Sequence, residues 1–335
     1  FGQPPLSEAA LIKSAQFTQH ELPIRLARRI QAFQKLPFIV GLNPHIHAVY
    51  RLYFDAFEAL RSFPLIENST QEEQFSKVLK KQIENLTHVV PKMAQGFLEC
   101  KKYIPIDHTR NFLNDLIRSR ISLRLIGEQH VALHETSADY IGIIHTRLSP
   151  AQLIHHNASY VQNLCEINYN AAPEFVINGD TNTVVQYVPV HLEYIACELL
   201  KNAFRATAEF GLKHNAGRLQ PIEITVTRGK RDICLRFRDQ GGGVATKDLP
   251  HVFEYSYTTV PSDLEDSGAD IGLDYTTKLS MQAGAGGPMA GLGYGLPMAR
   301  IYARYFGGSL DLVSLEGYGC DVFLKLKNID VAARD

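Results

Sequence analysis

The stretch ELLKNAFRAT, residues 198–207, decides how this chain is interpreted, because it places charged and amide side chains within a helical pattern. Its four polar residues of interest are three, four and seven positions apart and so share one helix face: Glu198, Lys201, Asn202 and Arg205. A carboxylate can accept a proton, an amide oxygen can bind a hard cation such as Mg²⁺, and the two cations can bind phosphate. An ordinary solvated helix face would show the same spacing.

A second segment, DQGGGV at residues 239–244, directly follows a strand pattern. The carboxylate of Asp239 can accept a hydrogen bond from an exocyclic amine such as that of adenine. Gly241 and Gly243 let the backbone approach a flat ligand closely. Taken alone, the segment is also compatible with a tight turn.

A third segment, GLGYGLP at residues 291–297, alternates glycines before a helical pattern. Pro297 suits the first turn of a helix, and a helix start behind glycines is a natural anion site. The spacing differs from the dinucleotide-binding G-x-G-x-x-G, and the chain contains no P-loop motif. A flexible hinge is the competing interpretation.

Two weaker signals lie near these segments. The hydroxyls of Thr258 and Thr259 can bond phosphate or base, although turn chemistry explains them equally well. Residues 261–290 are rich in Gly, Ala, Ser and Asp and show no hydrophobic period. An irregular stretch of this length predicts a lid or binding loop.

The rest of the second half predicts an α/β sandwich. Residues alternate between apolar and polar in Ile222–Thr227, Ile233–Arg238 and Val322–Lys327, which indicates three strands. Helical patterns cover residues 190–210 and 297–306. Helices of this kind are expected to cover one face of a sheet.

The first 150 residues predict an antiparallel helical bundle. The four helical segments are His20–Phe38 with Pro23 in its first turn, Val49–Leu60, a helix from Ser69 or Thr70 to Val90, and Thr109–Leu133. The change of pattern near Ser149 marks a domain boundary.

Composition limits the classes of function. The chain has 335 residues, 45% of them hydrophobic, and a net charge of -1, which excludes a disordered chain and disfavours nucleic-acid binding by charge alone. No apolar run approaches the ~20 residues of a membrane span, so no membrane insertion is expected. Five scattered cysteines predict reduced thiols and an intracellular protein, and the absence of an H-E-x-x-H motif disfavours a zinc enzyme.

The order and spacing of the three segments resemble the ATP site of the GHKL superfamily. Within it, four stretches resemble the mitochondrial 2-oxo acid dehydrogenase kinases, which comprise pyruvate and branched-chain kinases: residues 19–30, 198–207, 239–244 and 287–308. The resemblance implies an α+β chain: a four-helix bundle in residues 1–150, then a GHKL ATP-binding domain in residues 151–335. Its ATP lid would cover about residues 255–296.

The resemblance also implies a serine protein kinase and assigns roles. Glu198 would be the general base beside the nucleotide, Asn202 would bind Mg²⁺, and Asp239 would bond the adenine amino group. Lys201 and Arg205 would lie by the phosphates or support the fold. The remaining nucleotide-binding positions would be Gly241, Gly243, Thr258, Thr259, Gly291, Leu292, Gly293, Tyr294, Gly295 and Leu296. ATP and Mg²⁺ are the implied cofactors, and a bound K⁺ is left open.

Two positions depart from the family pattern. Tyr194 stands one turn before Glu198, where pyruvate dehydrogenase kinases have a histidine and branched-chain kinases a tyrosine. Cys320 stands where the family has a threonine, which removes or weakens a hydroxyl bond to the nucleotide.

The resemblance further implies partners and a compartment. These are the dehydrogenase subunit as substrate, a lipoyl domain docked on the helical half, a second copy of the chain in a homodimer, and the mitochondrial matrix. An apolar slot for the lipoyl group could come from Leu22, Pro23, Phe33, Leu36, Pro37 and Phe38, although ordinary bundle core explains each of them as well.

The target complex is left open between the two branches. Residues 130–150 and 307–326 resemble the branched-chain kinase, residues 89–102 and 187–195 the pyruvate kinases, and the balance leans slightly to the branched-chain branch. The competing functions are a two-component histidine kinase and an ATP-driven clamp. His130 could be a phospho-acceptor, but its apolar neighbours favour a core histidine.

Overall fold

The computed structural model describes residues 6–135, 137–214, 217–257 and 293–329. The chain divides into two compact units, Phe1–Thr146 and Arg147–Asp335, here called the N-terminal and C-terminal units.

The described part of the N-terminal unit is built from helices around an apolar core. The helices are α1 (Glu8–Gln34), α2 (Phe38–Gly41), α3 (Pro44–Arg61), α4 (Ser69–Asn85), α5 (Val89–Glu99) and α6 (Ile106–Ala132). They are followed by the strands β1 (Tyr140–Ile141) and β2 (Ile144–Leu148), which pair antiparallel. Helix α1 packs against α3, α4 and α6, and α3 packs against α5. Core side chains from these helices include Leu26, Tyr53, Phe75, Met93 and Leu113.

The first helix starts much earlier than predicted. Ser7 caps α1, since its hydroxyl accepts a hydrogen bond from the N–H of Ala10, and Pro23 therefore lies inside the helix rather than in its first turn. Proline removes one backbone hydrogen bond there. The buried stripe that continues upstream through Ala15 and Thr18 offsets this loss and keeps the helix continuous.

The predicted helix from Ser69 to Val90 is two helices. Helix α4 ends at Asn85, and Val89 and Val90 begin α5, whose buried face continues through Met93 and Phe97. The apolar spacing stays near the helical period across the connecting residues 86–88, so the sequence pattern does not show the break between α4 and α5. The prediction of a bundle is confirmed, but α5 is an additional helix within it.

The C-terminal unit is an α/β sandwich. Its elements are α7 (Pro150–Tyr169), β3 (Phe175–Gly179), β4 (Val185–Tyr187), α8 (Pro189–Lys213), β5 (Ile222–Arg228), β6 (Asp232–Arg238), a 3₁₀ turn (Leu249–His251), α9 (Gly295–Tyr305), β7 (Ser309–Leu315) and β8 (Gly319–Lys327). Five strands form a sheet in the order β3-β5-β6-β8-β7. Strand β3 is parallel to β5, and the other neighbours are antiparallel.

The sheet buries one face against helices. Ile224, Phe237 and Leu324 point into this core, and contacts of α7, α8 and α9 with the strands place those helices over it. The three predicted strands and the two predicted helices are confirmed, whereas α7, β3, β4 and β7 were not predicted. All five cysteines are free. None of the described helices is long and apolar enough to cross a bilayer.

Candidate active site

A cavity of about 400 Å³ opens in the C-terminal unit, between α8, the segment that follows β6 and the start of α9. Many residues singled out in the sequence line it: Glu198, Lys201, Asn202, Arg205, Asp239, Gly241, Gly243, Gly293, Gly295 and Leu296. Segments almost a hundred residues apart thus converge on one site, and the cavity has the size of a small-molecule pocket.

Two charged residues of α8 form a close pair inside the cavity. The Nζ of Lys201 lies 2.6 Å from Oε1 of Glu198, and both side chains are almost buried. Burial opposes the charge on Lys201, but the charge and hydrogen bond of Glu198, together with Cys197 and Tyr160, raise the pKa of Lys201 above its usual value. Lys201 therefore stays protonated and holds one oxygen of Glu198.

The other oxygen of Glu198 faces the start of α9. A Cβ atom on Gly295 would overlap Oε2 of Glu198. Only glycine lets the first residue of α9 approach the carboxylate this closely.

Asn202 and Arg205 extend the same face of α8. Within the described part of the chain, no hydrogen bond engages the amide of Asn202, so its oxygen can serve a ligand or a metal ion. Arg205 lies 3.8 Å from the carboxylate of Glu209, which also accepts a hydrogen bond from the hydroxyl of Tyr169. Arg205 is therefore held along the helix as well as facing the cavity.

Asp239 directly follows the last residue of β6 and is 7% exposed. Its Oδ1 accepts hydrogen bonds from the N–H groups of Gly241 and Cys320, at 2.9 and 3.3 Å. No described residue donates to Oδ2, so this oxygen is the acceptor that a ligand in the cavity can use. Burial raises the pKa of Asp239 to about 6, against the opposing effect of the two backbone N–H groups.

The raised pKa predicts a stability effect for Asp239→Asn. The folded state binds the Asp239 proton more tightly than the unfolded chain does, so this stabilisation is present at low pH and is lost as the pH rises through about 6. Asparagine is neutral at every pH and can keep Oδ1 as acceptor. We expect it to stabilise the ligand-free protein at pH 7.5 by on the order of 2 kcal/mol, since one pKa unit corresponds to about 1.4 kcal/mol.

Thermal melts of the two proteins at pH 7.5 and pH 5 measure this effect. The melting temperature of the variant should be the higher one at pH 7.5, and the difference should shrink at pH 5. A variant that melts no higher than wild type at pH 7.5 would contradict the assigned cost of burying the charge.

Gly241 fixes how the segment after β6 lies against α8. A Cβ atom at this position would come within 2.6 Å of the backbone carbonyl carbon of Ala206. Since backbone cannot yield as a flexible side chain can, any larger residue would push Asp239 and its neighbours away from the helix.

Sequence reasoning missed the apolar wall of the cavity. Its members come from α8, from β6, β7 and β8, and from the residue after the 3₁₀ turn: Leu199, Phe237, Val252, Leu312 and Val322. The inward positions of the predicted strands would have indicated Phe237 and Val322. Cys320, noted as a departure from the family, also lines the cavity.

Other predicted nucleotide residues are not in the cavity wall or cannot be placed. Tyr294 is buried with its ring 5.0 Å from that of Tyr255 and does not line the cavity. Thr258, Thr259, Gly291, Leu292 and most of the predicted lid lie outside the described residues. Tyr194 is fully buried one turn before Glu198, and its hydroxyl has no hydrogen-bond partner within the described ranges.

In the N-terminal unit, His130 is a core residue. Its ring nitrogens lie 3.0 Å from the hydroxyls of Ser14 and Ser76, and Nε2 lies 3.1 Å from Glu72. Burial lowers its pKa to about 4, so the ring is neutral near pH 7. The preference for a core histidine is confirmed.

The six residues proposed for an apolar slot do not form one exposed set. Leu22 and Phe33 are buried in the bundle core, whereas Phe38 is 81% exposed. The core interpretation therefore holds for the first two, and α2 with its flanks carries the exposed apolar side chains.

Comparisons with known proteins extend over both units. A family model described as mitochondrial branched-chain alpha-ketoacid dehydrogenase kinase matches residues 1–145, and one described as histidine kinase-, DNA gyrase B- and HSP90-like ATPase matches residues 187–329. The chain is 38% identical to the mitochondrial [pyruvate dehydrogenase (acetyl-transferring)] kinase of Arabidopsis thaliana, over 98% of this chain and 88% of the relative. It is 32% identical to isozyme 4 of this kinase from Homo sapiens, over 94% of this chain and 76% of the relative.

Proposed function

Because the chain belongs to the family of mitochondrial 2-oxo acid dehydrogenase kinases, we propose that it transfers the γ-phosphate of ATP to a serine of the decarboxylating dehydrogenase and thereby inactivates that complex. It is a GHKL-type protein kinase that acts on a 2-oxo acid dehydrogenase complex. The observation that carries the proposal is the convergence of Glu198, Asn202 and Asp239 on one cavity.

The cavity suits ATP. The free Oδ2 of Asp239 would accept a hydrogen bond from the adenine amino group, between apolar walls that include Phe237 and Leu312. Lys201 and the backbone N–H groups at the start of α9 would hold the phosphates, because a helix start and a cation both favour an anion. The amide oxygen of Asn202 is a suitable ligand for the Mg²⁺ that neutralises phosphate charge.

Glu198 would act as the general base. Its carboxylate accepts the proton of the substrate serine while the serine oxygen bonds to the γ-phosphorus and the bond from that phosphorus to the bridging oxygen of ADP breaks. In the ligand-free protein the ammonium of Lys201 lies 2.6 Å from Glu198 and pairs with that side chain. Bound phosphates would compete for that ammonium and leave the carboxylate to the serine.

The partners and the compartment belong to the same proposal. The relatives are named as mitochondrial, and we place this chain in the matrix with the complex. The exposed apolar residues around α2, led by Phe38, would dock the lipoyl domain of the acyltransferase core. Two copies of the chain would form the active dimer. We infer pyruvate dehydrogenase as the target, against the slight lean of the sequence to the branched-chain branch. The relatives that cover both units carry the pyruvate name, whereas the family model with the branched-chain name covers residues 1–145.

The test is transfer of labelled γ-phosphate from Mg-ATP to the purified decarboxylating dehydrogenases of the pyruvate and branched-chain complexes, with their lipoyl domains present. We expect serine labelling and loss of activity of the pyruvate enzyme. Labelling of the branched-chain enzyme alone would correct the target. ATP binding without labelling of either would overturn the kinase proposal in favour of an ATP-driven clamp or a histidine kinase.

A further inference from the structure

The turn between β7 and β8 is bonded to the segment that follows β6, although the two are more than seventy residues apart in sequence. The N–H of Gly242 donates to the carbonyl of Tyr318 at 3.1 Å, and the N–H of Gly317 donates to the carbonyl of Gly242 at 2.8 Å. We call the contact between residues 314–320 and residues 239–246 the hairpin clasp. Five of its residues line the cavity: Asp239, Gly241, Gly243, Val244 and Cys320.

The hydroxyl of Ser314, on β7, bonds both the N–H and the carbonyl of Val244. The N–H of Val244 donates to Oγ of Ser314 at 2.7 Å, and the same hydroxyl donates to the carbonyl of Val244 at 3.3 Å. Val244 lines the cavity and Ser314 does not. The serine therefore acts on the cavity through the residues it bonds, the backbone of Val244 and the side chain of Cys320.

Glu316, at the tip of the turn between β7 and β8, binds Thr246, which lies two residues after Val244. Its Oε2 accepts hydrogen bonds from the N–H and the hydroxyl of Thr246, at 3.0 and 2.9 Å. The backbone N–H is the main cause of the lowered pKa of Glu316. The carboxylate is exposed and lies outside the cavity wall.

The space between the two segments leaves the clasped backbone little freedom. Gly243 has a φ of +70°, which favours glycine, and a Cβ atom there would overlap the carbonyl oxygen of Leu315. The backbone from Gly241 to Val244 is thus confined by α8 on one side and by the hairpin on the other. The hairpin determines where the cavity wall lies.

We propose that Ser314 and Glu316 are positioning residues of the ATP site. They hold the backbone from Gly241 to Thr246, and with it the cavity wall of Gly241, Gly243 and Val244, against the adenine without touching the nucleotide. The inference rests on the proposed function of this cavity. If the clasp is loosened, the wall is less ordered before ATP binds and must be ordered during binding. The entropy cost of that ordering weakens nucleotide binding. The step of phosphoryl transfer, at Glu198, is spared.

The test compares Ser314→Ala and Glu316→Ala with Asp311→Asn, an exposed residue of β7 outside the clasp. We expect Ser314→Ala to raise the KM and Kd for ATP about five- to tenfold, the effect of one net hydrogen bond, with kcat within twofold of wild type. Glu316→Ala should raise them less. Ser314→Thr, which keeps the hydroxyl, should restore the affinity, and Asp311→Asn should match wild type.

Several outcomes overturn the inference. The clasp plays no positioning role if both alanine variants bind ATP like Asp311→Asn. If Ser314 and Glu316 only stabilise the fold, the alanine variants will contain a smaller fraction of protein that binds ATP, as counted by titration. The KM of the protein that still binds ATP will then be unchanged. Failure of wild type itself to bind ATP would instead reject the proposed function, so the two failures are distinguishable.

Discussion

Glu198→Gln is expected to lower the rate of serine phosphorylation by a factor of about 10² to 10⁴, the usual contribution of a positioned general base. Glutamine has the size of glutamate and can still accept the hydrogen bond from Lys201, but it cannot take a proton from the substrate. The shape of the cavity is kept, because the side chain remains between Lys201 and Gly295.

ATP affinity separates this effect from damage to the site. Removing a negative charge next to the phosphates should leave the Kd for ATP unchanged or lower it. Single-turnover transfer and nucleotide binding are measured on the same preparation, with Glu166→Gln, an exposed carboxylate of α7, as the matched control. Wild-type turnover in Glu198→Gln would remove Glu198 as the base.

The site was more predictable than its surroundings, because its chemistry depends on residue types at short spacings. Glu198, Lys201 and Asn202 share a helix face whenever the helix forms, and Asp239 must follow its strand. Their convergence depends on the sheet order, which no local pattern contains.

Strand β7 shows why other elements escaped prediction. Leu310 and Leu312 face inward, but Val313 and Leu315 on the outer face are also apolar, 59% and 65% exposed. The alternation that marks the other strands is therefore hidden. The clasp was unpredictable for a different reason: Ser314 and Glu316 look like ordinary turn residues until β7 pairs with β8 and brings them to Val244 and Thr246.

The second large effect is the loss of ATP binding in Asp239→Asn. The N–H groups of Gly241 and Cys320 both point at Oδ1, so they fix the amide oxygen of an asparagine in that place. Its NH₂ group must then take the place of Oδ2 and face the cavity. A donor would meet the adenine amino group, which is itself a donor. We expect the Kd for ATP to rise roughly 10²-fold, given that hydrogen bonds to charged groups contribute about 1.5–3 kcal/mol.

The same variant should change which base is preferred. Inosine triphosphate carries an oxygen acceptor where ATP carries the amino group. This oxygen can accept a hydrogen bond from the NH₂ of the asparagine, but it meets a second acceptor in the carboxylate of Asp239. We expect wild type to prefer ATP and Asp239→Asn to bind inosine triphosphate at least as well as ATP, as measured by calorimetric titration of both nucleotides. Because Asp239→Asn is also expected to melt at a higher temperature, its weak ATP binding could not be ascribed to unfolding. Unchanged ATP affinity, or a loss of affinity shared equally by both nucleotides, would show that Asp239 does not bond position 6 of the base.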